Sequence, residues 1–289
     1  MNKKILTLLI FPITCTFGCA STISEKKARE LIAEIDGHNF NFATTEKFSV
    51  SFKQHSFMSG KYYGENEYEK EDVEGLLEYS TKSSFIHIKY TEIDEERTGN
   101  AIEIEKETEE EWIYVSGSSV VRAESEVEEY DLKVETSKTY KILNNDEQGA
   151  KKYFTDTLQG LITEISSVMN TSLYITTVKS ILDNETEPGL AYEKTKYKSS
   201  GRGSLIVNTN IKYTNYAVNK DYGNGDGTLS VAWDNYVISS IETTSSLHVI
   251  NYINNTDYNA KASGSVKVGF DCSPVFPNLS EFEYSGVLS

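Results

Sequence analysis

Apolar and polar residues alternate with a period of two along much of this chain, and this pattern is the strongest constraint on its fold. Successive side chains of a β-strand point to opposite faces of a sheet, so each alternating segment is predicted as a strand with one buried face. Sequential strands joined by short turns, at glycines such as Gly60 and Gly64, predict antiparallel meanders. The alternating apolar positions are Phe48, Val50 and Phe52; Ile86, Ile88 and Tyr90; Ile102 and Ile104; Trp112 and Tyr114; Leu205, Val207, Thr209, Ile211 and Tyr213; Leu229, Val231 and Trp233; and Val266, Val268 and Phe270.

Helical spacing interrupts the strand pattern in two places. Residues 24–35 are predicted as a helix with Ser24 as its N-cap, because four apolar residues there fall on one face. Between residues 145 and 183 the spacing predicts a long helix, a break near Asn170 and a shorter helix that ends before Pro188. No Pro/Gly/Ser-rich linker divides the chain, so these helices and the strands are expected to form one domain.

The charge of the chain makes nucleic acid an improbable partner. Lys and Arg number 28 against 44 Asp and Glu, so the net charge is 28 − 44 = −16, which repels phosphate backbones. The segment from Glu92 to Glu111 is especially acidic. We interpret it as the solvent-facing side of a hairpin, with Glu103, Glu105 and Glu107 pointing outward. A cation site there stays open as the alternative, although carboxylates at this spacing lie about 6–7 Å apart along a strand.

The residue pattern predicts neither an enzyme nor a cofactor or metal site. The histidines are scattered, and neither H-E-x-x-H nor G-x-S-x-G occurs. His87 is out of phase with its apolar neighbours and is predicted to face solvent, and Cys272 is predicted to be a buried or idle thiol. A pair of carboxylates brought together by the fold is the enzymatic alternative that spacing leaves open.

The N-terminus has the composition of a secretory signal. Met1-Asn2-Lys3-Lys4 is basic, and residues 5–13 are almost wholly apolar but shorter than the ~20 residues that span a bilayer. Thr16-Phe17-Gly18-Cys19 resembles the lipobox of bacterial lipoproteins. The resemblance implies that residues 1–18 are removed and that Cys19 carries fatty-acyl chains such as palmitate. The protein would then be anchored by lipid at the extracytoplasmic face of the bacterial cell membrane. An ordinary secretory signal is the alternative.

The order of elements resembles the LolA/LppX-like lipoprotein-carrier superfamily. The resemblance rests on this order and on three segments, residues 111–117, 231–241 and 277–282. It implies one domain over residues 19–289 of the α+β class. In that fold a curved antiparallel sheet forms a half-barrel, with an N-terminal helix and a central helical pair on its concave face.

The same resemblance implies an apolar groove between sheet and helices that binds or carries a lipid or another hydrophobic ligand. A cell-surface interaction or adhesion lipoprotein with a filled core is the alternative. The expected partners are thus the membrane, through the N-terminal lipid, and a hydrophobic ligand, while no protein partner is predicted. The residues expected to line the groove are Phe154, Leu158, Leu161 and Ile165 on the helix and Val207, Ile211, Val231 and Trp233 on the strands.

Overall fold

The computed structural model describes residues 20–38, 40, 42–98, 101–130, 133–144, 146–169, 172–218 and 221–288. Its helices are α1 (Glu25–Asp36), α2 (Glu147–Met169) and α3 (Ser172–Asp183), with short 3₁₀ turns at Phe42–Thr44 and Leu279–Glu281. The strands are β1 (Ser21–Thr22), β2 (Lys47–Tyr62), β3 (Glu65–Ser80), β4 (Phe85–Thr98), β5 (Ala101–Ser116), β6 (Ser119–Tyr130), β7 (Lys133–Asn144), β8 (Leu190–Ser199), β9 (Leu205–Val218), β10 (Asp221–Asp234), β11 (Val237–Asn251), β12 (Thr256–Gly269) and β13 (Glu283–Val287).

All the strands belong to one sheet, in the order β1-β8-β9-β10-β11-β12-β2-β3-β4-β5-β6-β7-β13. Two antiparallel meanders, β2 to β7 and β8 to β12, are joined where β12 pairs with β2. The chain passes from β7 near one edge to β8 near the other through α2 and α3. The only parallel pairing among the described strands is that of β13 with β7.

The predicted N-terminal helix is confirmed. Ser24 caps α1, and its hydroxyl oxygen accepts a hydrogen bond from the backbone N–H of Lys27 at 3.3 Å. The buried residues of α1 recur at the spacing of one helical face: Ala28, Leu31, Ile32 and Ile35. The helix contacts α3 and the neighbouring strands β8 and β9, whereas α2 contacts β5 and β6.

One face of the sheet, here called the inner face, is covered by the helices and holds the main core. Cross-strand neighbours on this face include Phe48 opposite Tyr79, which in turn lies opposite Ile86. These side chains pack in one continuous cluster with the apolar stripe of α2. Because the inner-face side chains alternate without a register shift from β2 to β6, one choice of register determines which of their residues enter this core.

A second, smaller core lies on the opposite, outer face. The C-terminal segment after β12 crosses this face, where Phe276 packs edge-on against Phe85 and Tyr114, and Phe282 against Trp112. The same segment ends in β13, which pairs with the edge strand β7. Trp112 and Tyr114 therefore belong to the outer core, while Ile113 between them faces the inner one.

The predicted fold class is wrong. The described residues form a thirteen-stranded sheet with three helices, so the protein is predominantly β rather than α+β. The predicted LolA/LppX-like half-barrel is wrong for the same reason. Several strands escaped the sequence analysis because they carry charged residues on both faces. In β3, for example, Glu67, Glu69 and Glu71 face inward while Lys70 and Asp72 face outward, which removes the period-two signal.

Gly75 marks a position in the inner core that only glycine fits. It lies opposite Phe52 in the β2–β3 pair, and a Cβ atom added to it would fall 1.9 Å from the Phe52 ring.

We expect Gly75→Ala to lower the free energy of unfolding by about 1–3 kcal/mol through overpacking, measured by urea denaturation. Gly160→Ala is the control, because Gly160 lies on an exposed part of α2 with no atom within 4 Å of the added Cβ. This control should gain up to about 1 kcal/mol in stability through helix propensity. An equal loss in both variants would contradict the steric account.

Candidate functional site

The eight residues predicted to line a groove are brought together, but they fill the core. All but Ile211 are buried, and Ile211 packs, partly buried, against the same cluster. Trp233, the largest of the eight, is only 1% exposed. The stripe on α2 and the inner-face residues of β9 and β10 thus close the space between helix and sheet. None of the eight lines any of the clefts described below.

The predicted hydrophobic groove is therefore wrong, and so is the lipid-carrier function that depended on it. Alternation in the strands and a stripe on the helix correctly identified two apolar surfaces. They could not show whether the opposing side chains leave a hollow, because this depends on side-chain volume and on how closely the helix approaches the sheet. Cys19 and the predicted signal over residues 1–18 lie outside the described residues.

The most unusual surface of the protein is a continuous area of carboxylates on the inner face. It begins where the helices no longer cover the strands, and we call it the carboxylate face. The register places Glu71 opposite Asp94 and Asp94 opposite Glu105. One step nearer the core, Glu92 lies opposite Glu107, which lies opposite Glu128. The members of the carboxylate face are Glu71, Glu92, Asp94, Glu105, Glu107, Glu109, Glu111, Glu124, Glu126 and Glu128.

Two clefts run along the carboxylate face. The first, of about 260 Å³, is lined by Glu109, Glu111, Glu124 and Glu126 together with Arg122. The second, of about 250 Å³, continues it toward the strand ends and is lined by the remaining members on β4, β5 and β6 and by Lys106. Lys106 pairs at 2.5 Å with Glu129 of the neighbouring strand. Both clefts are thus rich in carboxylate oxygens, and neither has an apolar lining of the kind a lipid chain needs.

Arg122 is the one basic residue on the inner face of β3 to β6 among the described residues. Its guanidinium forms ion pairs with Glu111, at 2.7 Å from Nε, and with Glu124, at 2.9 Å from Nη2. Burial raises the pKa of Glu111, and the charge of Arg122 opposes this rise. One guanidinium therefore compensates only the end of the carboxylate face that lies nearest the core.

Further from the core the carboxylates affect one another more strongly. Burial, and then the negative charges of Glu92, Glu71, Glu105 and Glu96, raise the pKa of Asp94 to about 6. Tyr90 donates a hydrogen bond to Glu92 at 2.6 Å. One oxygen each from Glu71, Glu92 and Asp94 lies within 4.8 Å of the other two. These three oxygens could contact one hard cation, but Ca²⁺ takes about six to eight oxygen ligands, so water would have to supply the rest.

Sequence reasoning was right that the acidic residues of β5 face solvent, but it assigned them to the wrong face of the sheet. Glu103 and Glu105 are exposed and Glu107 is half-buried, yet all three share the inner face with Ile113. The signal was present in the sequence, because Ile113 and these glutamates all occupy odd-numbered positions. The interpretation failed because Trp112 and Tyr114 were taken as the core-facing set, whereas they belong to the core on the outer face.

The histidines and the cysteine lie apart from this surface. His87 was predicted to face solvent but is only 7% exposed, stacked on Trp112 at 5.3 Å. Its Nδ1 contacts Glu78 at 3.1 Å and its Nε2 contacts Glu110 at 2.8 Å. Both ring nitrogens of His87 are thus occupied by carboxylate oxygens. Burial raises the pKa of Cys272 to about 11, which agrees with the predicted inert thiol.

Comparisons with known proteins identify no family for this chain. No family model matches it, and no curated protein is similar to it in sequence. Among solved structures, one similar chain is the translocator domain of the autotransporter NalP from Neisseria meningitidis. It is 9% identical, with 84% of this chain and 95% of that domain covered and a TM-score of 0.19. At this TM-score the likeness carries no argument about fold or function.

The predicted lipid-anchored carrier is wrong, because the space between the helices and the sheet is filled, and the lipoprotein assignment gains no support from these comparisons. None of the described helices combines the length and the apolar character needed to cross a membrane.

The raised pKa of Asp94 predicts a pH-dependent gain in stability for Asp94→Asn. Between its ordinary value of 3.8 and its folded value of about 6, the folded protein holds the proton more tightly than the unfolded chain does. The contribution of Asp94 to stability is therefore present below about pH 4 and lost as the pH rises through 6. We expect Asp94→Asn to have the higher melting temperature at neutral pH and the difference to vanish near pH 4. Thermal denaturation across this range tests it, with the exposed Glu185→Gln as control. A lower melting temperature for Asp94→Asn at neutral pH would contradict the prediction.

Proposed function

We propose that this protein is a non-enzymatic, extracytoplasmic binding protein whose carboxylate face binds an extended basic segment of another polypeptide. The observation that carries the proposal is the inner face of β3 to β6, where carboxylates follow one another along and across the strands with Arg122 as the one basic side chain described there. A surface of one sign attracts ligands of the opposite sign and speeds their association.

The spacing of the carboxylates favours an extended ligand. Glu105, Glu107, Glu109 and Glu111 follow one another at every second position of β5, so neighbouring members are about 6–7 Å apart. Alternate side chains of an extended peptide repeat at the same distance. Lysines or arginines at every second position could therefore each meet a carboxylate. The two clefts follow one another along β5 and β6, in the direction such a peptide would take.

The environments of the histidines support a non-enzymatic role. His55 contacts Asp72 at 2.7 Å, His248 contacts Asp257 at 2.8 Å, and His87 lies between two carboxylates. Both nitrogens of His87 contact carboxylates, so this ring offers no free nitrogen to activate a hydroxyl or thiol nucleophile. The extracytoplasmic location rests on the predicted secretory signal over residues 1–18.

A fluorescent peptide of alternating lysine and serine tests the proposal. Its dissociation constant is measured at increasing salt for the wild type and for the triple variant Glu107→Gln/Glu109→Gln/Glu126→Gln. Exposed ion pairs contribute on the order of 0.5 kcal/mol each, so the triple variant should bind about tenfold more weakly. Its affinity should also depend less on salt, because screening acts on fewer charge pairs.

Glu185→Gln/Glu187→Gln/Glu193→Gln is the matched control, since it removes the same charge from exposed positions before and within β8. This control should bind the peptide nearly as well as the wild type. Equal weakening in both triple variants would mean that net charge alone attracts the peptide, and the proposal would fail. Absence of peptide binding, combined with Ca²⁺ binding that requires Glu71 and Asp94, would assign the carboxylate face to a metal instead.

A further inference from the structure

Two neighbouring hairpin turns form an uncharged apolar projection at the end of the sheet furthest from the helices. They are the β2–β3 turn at Tyr63-Gly64 and the β11–β12 turn at residues 252–255. The backbone N–H of Gly64 donates to the carbonyl oxygen of Asn255 at 2.9 Å, and that of Tyr63 donates to the Thr256 hydroxyl at 3.3 Å. These bonds hold the turns side by side. We call Tyr62, Tyr63, Gly64, Tyr252, Ile253, Asn254 and Asn255 the hairpin tip.

Three large side chains of the hairpin tip are exposed to solvent, while Tyr62 is half-buried and packs against Tyr258. Ile253 is 95% exposed, Tyr252 is 90% exposed and Tyr63 is 49% exposed. Their apolar surface contributes almost nothing to the core, so the core does not explain why these residue types occur here. Isolated exposed apolar residues are common, but adjacent ones in two bonded turns form a patch.

The backbone at Tyr63 adds an independent observation. Its φ is 50° and that of Gly64 is 91°, so both central residues of the turn are left-handed. Such a two-residue turn favours Asn, Asp or Gly at the first position, where an aromatic residue is strained. The turn therefore has a tyrosine at a position where asparagine would fit the backbone better. This indicates that the exposed aromatic ring of Tyr63 has a role that offsets the strain.

The hairpin tip is also uncharged, although the whole chain carries a net charge of −16. Glu65 directly follows Gly64 and is exposed, whereas two other acids close to the tip are held by neighbouring side chains. Asp257 contacts His248 at 2.8 Å, and Asp221, only 3% exposed, accepts a hydrogen bond from Asn251 at 2.5 Å. The residues of the tip itself can thus leave water without the cost of removing an ionised group from it, with Glu65 remaining at the level of the headgroups.

We propose that the hairpin tip inserts into the interfacial region of a zwitterionic lipid bilayer. Tyrosine is favoured at the boundary between headgroups and acyl chains, and the isoleucine side chain is favoured just below it. The asparagines of the turn would remain among the polar headgroups. The neighbouring carboxylates repel anionic lipids, so the matching surface is one whose headgroups carry no net charge.

The shape of the projection favours a bilayer over a protein partner. Anchor residues of protein interfaces fit into pockets and are surrounded by contacts that exclude water. Tyr252 and Ile253 instead project with nearly all of their surface free. A fluid interface can close around such a projection on every side, whereas a rigid partner would need a socket shaped to it.

Vesicle binding by the full chain tests the proposal. Wild type and Tyr252→Ser/Ile253→Ser are compared by flotation with phosphatidylcholine vesicles and with mixed phosphatidylcholine/phosphatidylglycerol vesicles. Loss of two apolar side chains should weaken partitioning into phosphatidylcholine by about tenfold or more, and phosphatidylglycerol should weaken binding of the wild type. Val275→Ser/Val287→Ser is the matched control, because these valines are also exposed, at 70% and 66%, but lie in the C-terminal segment. It should partition like the wild type.

Fluorescence gives a local readout at the hairpin tip. The native tryptophans, Trp112 and Trp233, are buried, so a Tyr252→Trp variant adds an emission from exposed indole that should shift to the blue when phosphatidylcholine vesicles are added. Partitioning that is the same for the wild type and the Tyr252/Ile253 variant would overturn the proposal. So would concentration-dependent dimerisation that this variant abolishes without vesicles, because a second copy would then be the occupant.

Discussion

The register of the long antiparallel strands is the constraint on which the rest of this structure depends. Side chains alternate between the two faces along β2 to β5 without a register shift, so pairing Phe48 with Tyr79 and Ile86 also decides that Glu71, Asp94 and Glu105 share a face further along the same strands. The helices cover only part of that face. Where they cover it the side chains are apolar, and where they end the same face becomes acidic. Core and carboxylate face are two ends of one surface.

In this arrangement, the free energy gained by burying the apolar core offsets the repulsion between the carboxylates at the other end of the same face. Carboxylates on adjacent strands destabilise a sheet when they lie directly opposite one another, as Glu92, Glu107 and Glu128 do. Arg122 relieves the repulsion only near Glu111 and Glu124. The large apolar cluster that joins both meanders to α2 provides the opposing free energy. A surface kept against this cost is typical of a binding site, because function and stability commonly make opposite demands.

The local elements were predictable from the sequence, but the fold class and the site were not. Ser24 as an N-cap and the apolar stripe of α2 depend on neighbouring residues, so local spacing was enough. The strands β3 and β7 were missed because their charged residues fall on both faces. The filled core could not be foreseen either. An alternating pattern places Trp233 on the inner face of its strand, but it does not show whether the side chain lines a cavity or fills it. His87 was misjudged because a core on the outer face needs the C-terminal segment, whose path no local pattern reveals.

The two proposed surfaces lie on the same half of the molecule, and this limits how they can act. The hairpin tip and the outer part of the carboxylate face both lie away from the helices, on strands that run toward the turns. A chain docked through Tyr252 and Ile253 would direct toward the membrane the same end of the sheet that carries Glu71, Asp94 and Glu105. Screening shortens their field to about 8–10 Å at physiological salt, so only charges near the membrane surface would respond to it. A basic polypeptide segment close to a neutral bilayer would then be attracted, whereas anionic lipids would weaken docking and compete for the same basic segment. The negative charge of the sheet thus makes both proposed interactions, membrane docking and binding of a basic segment, depend on the charge of the lipid headgroups.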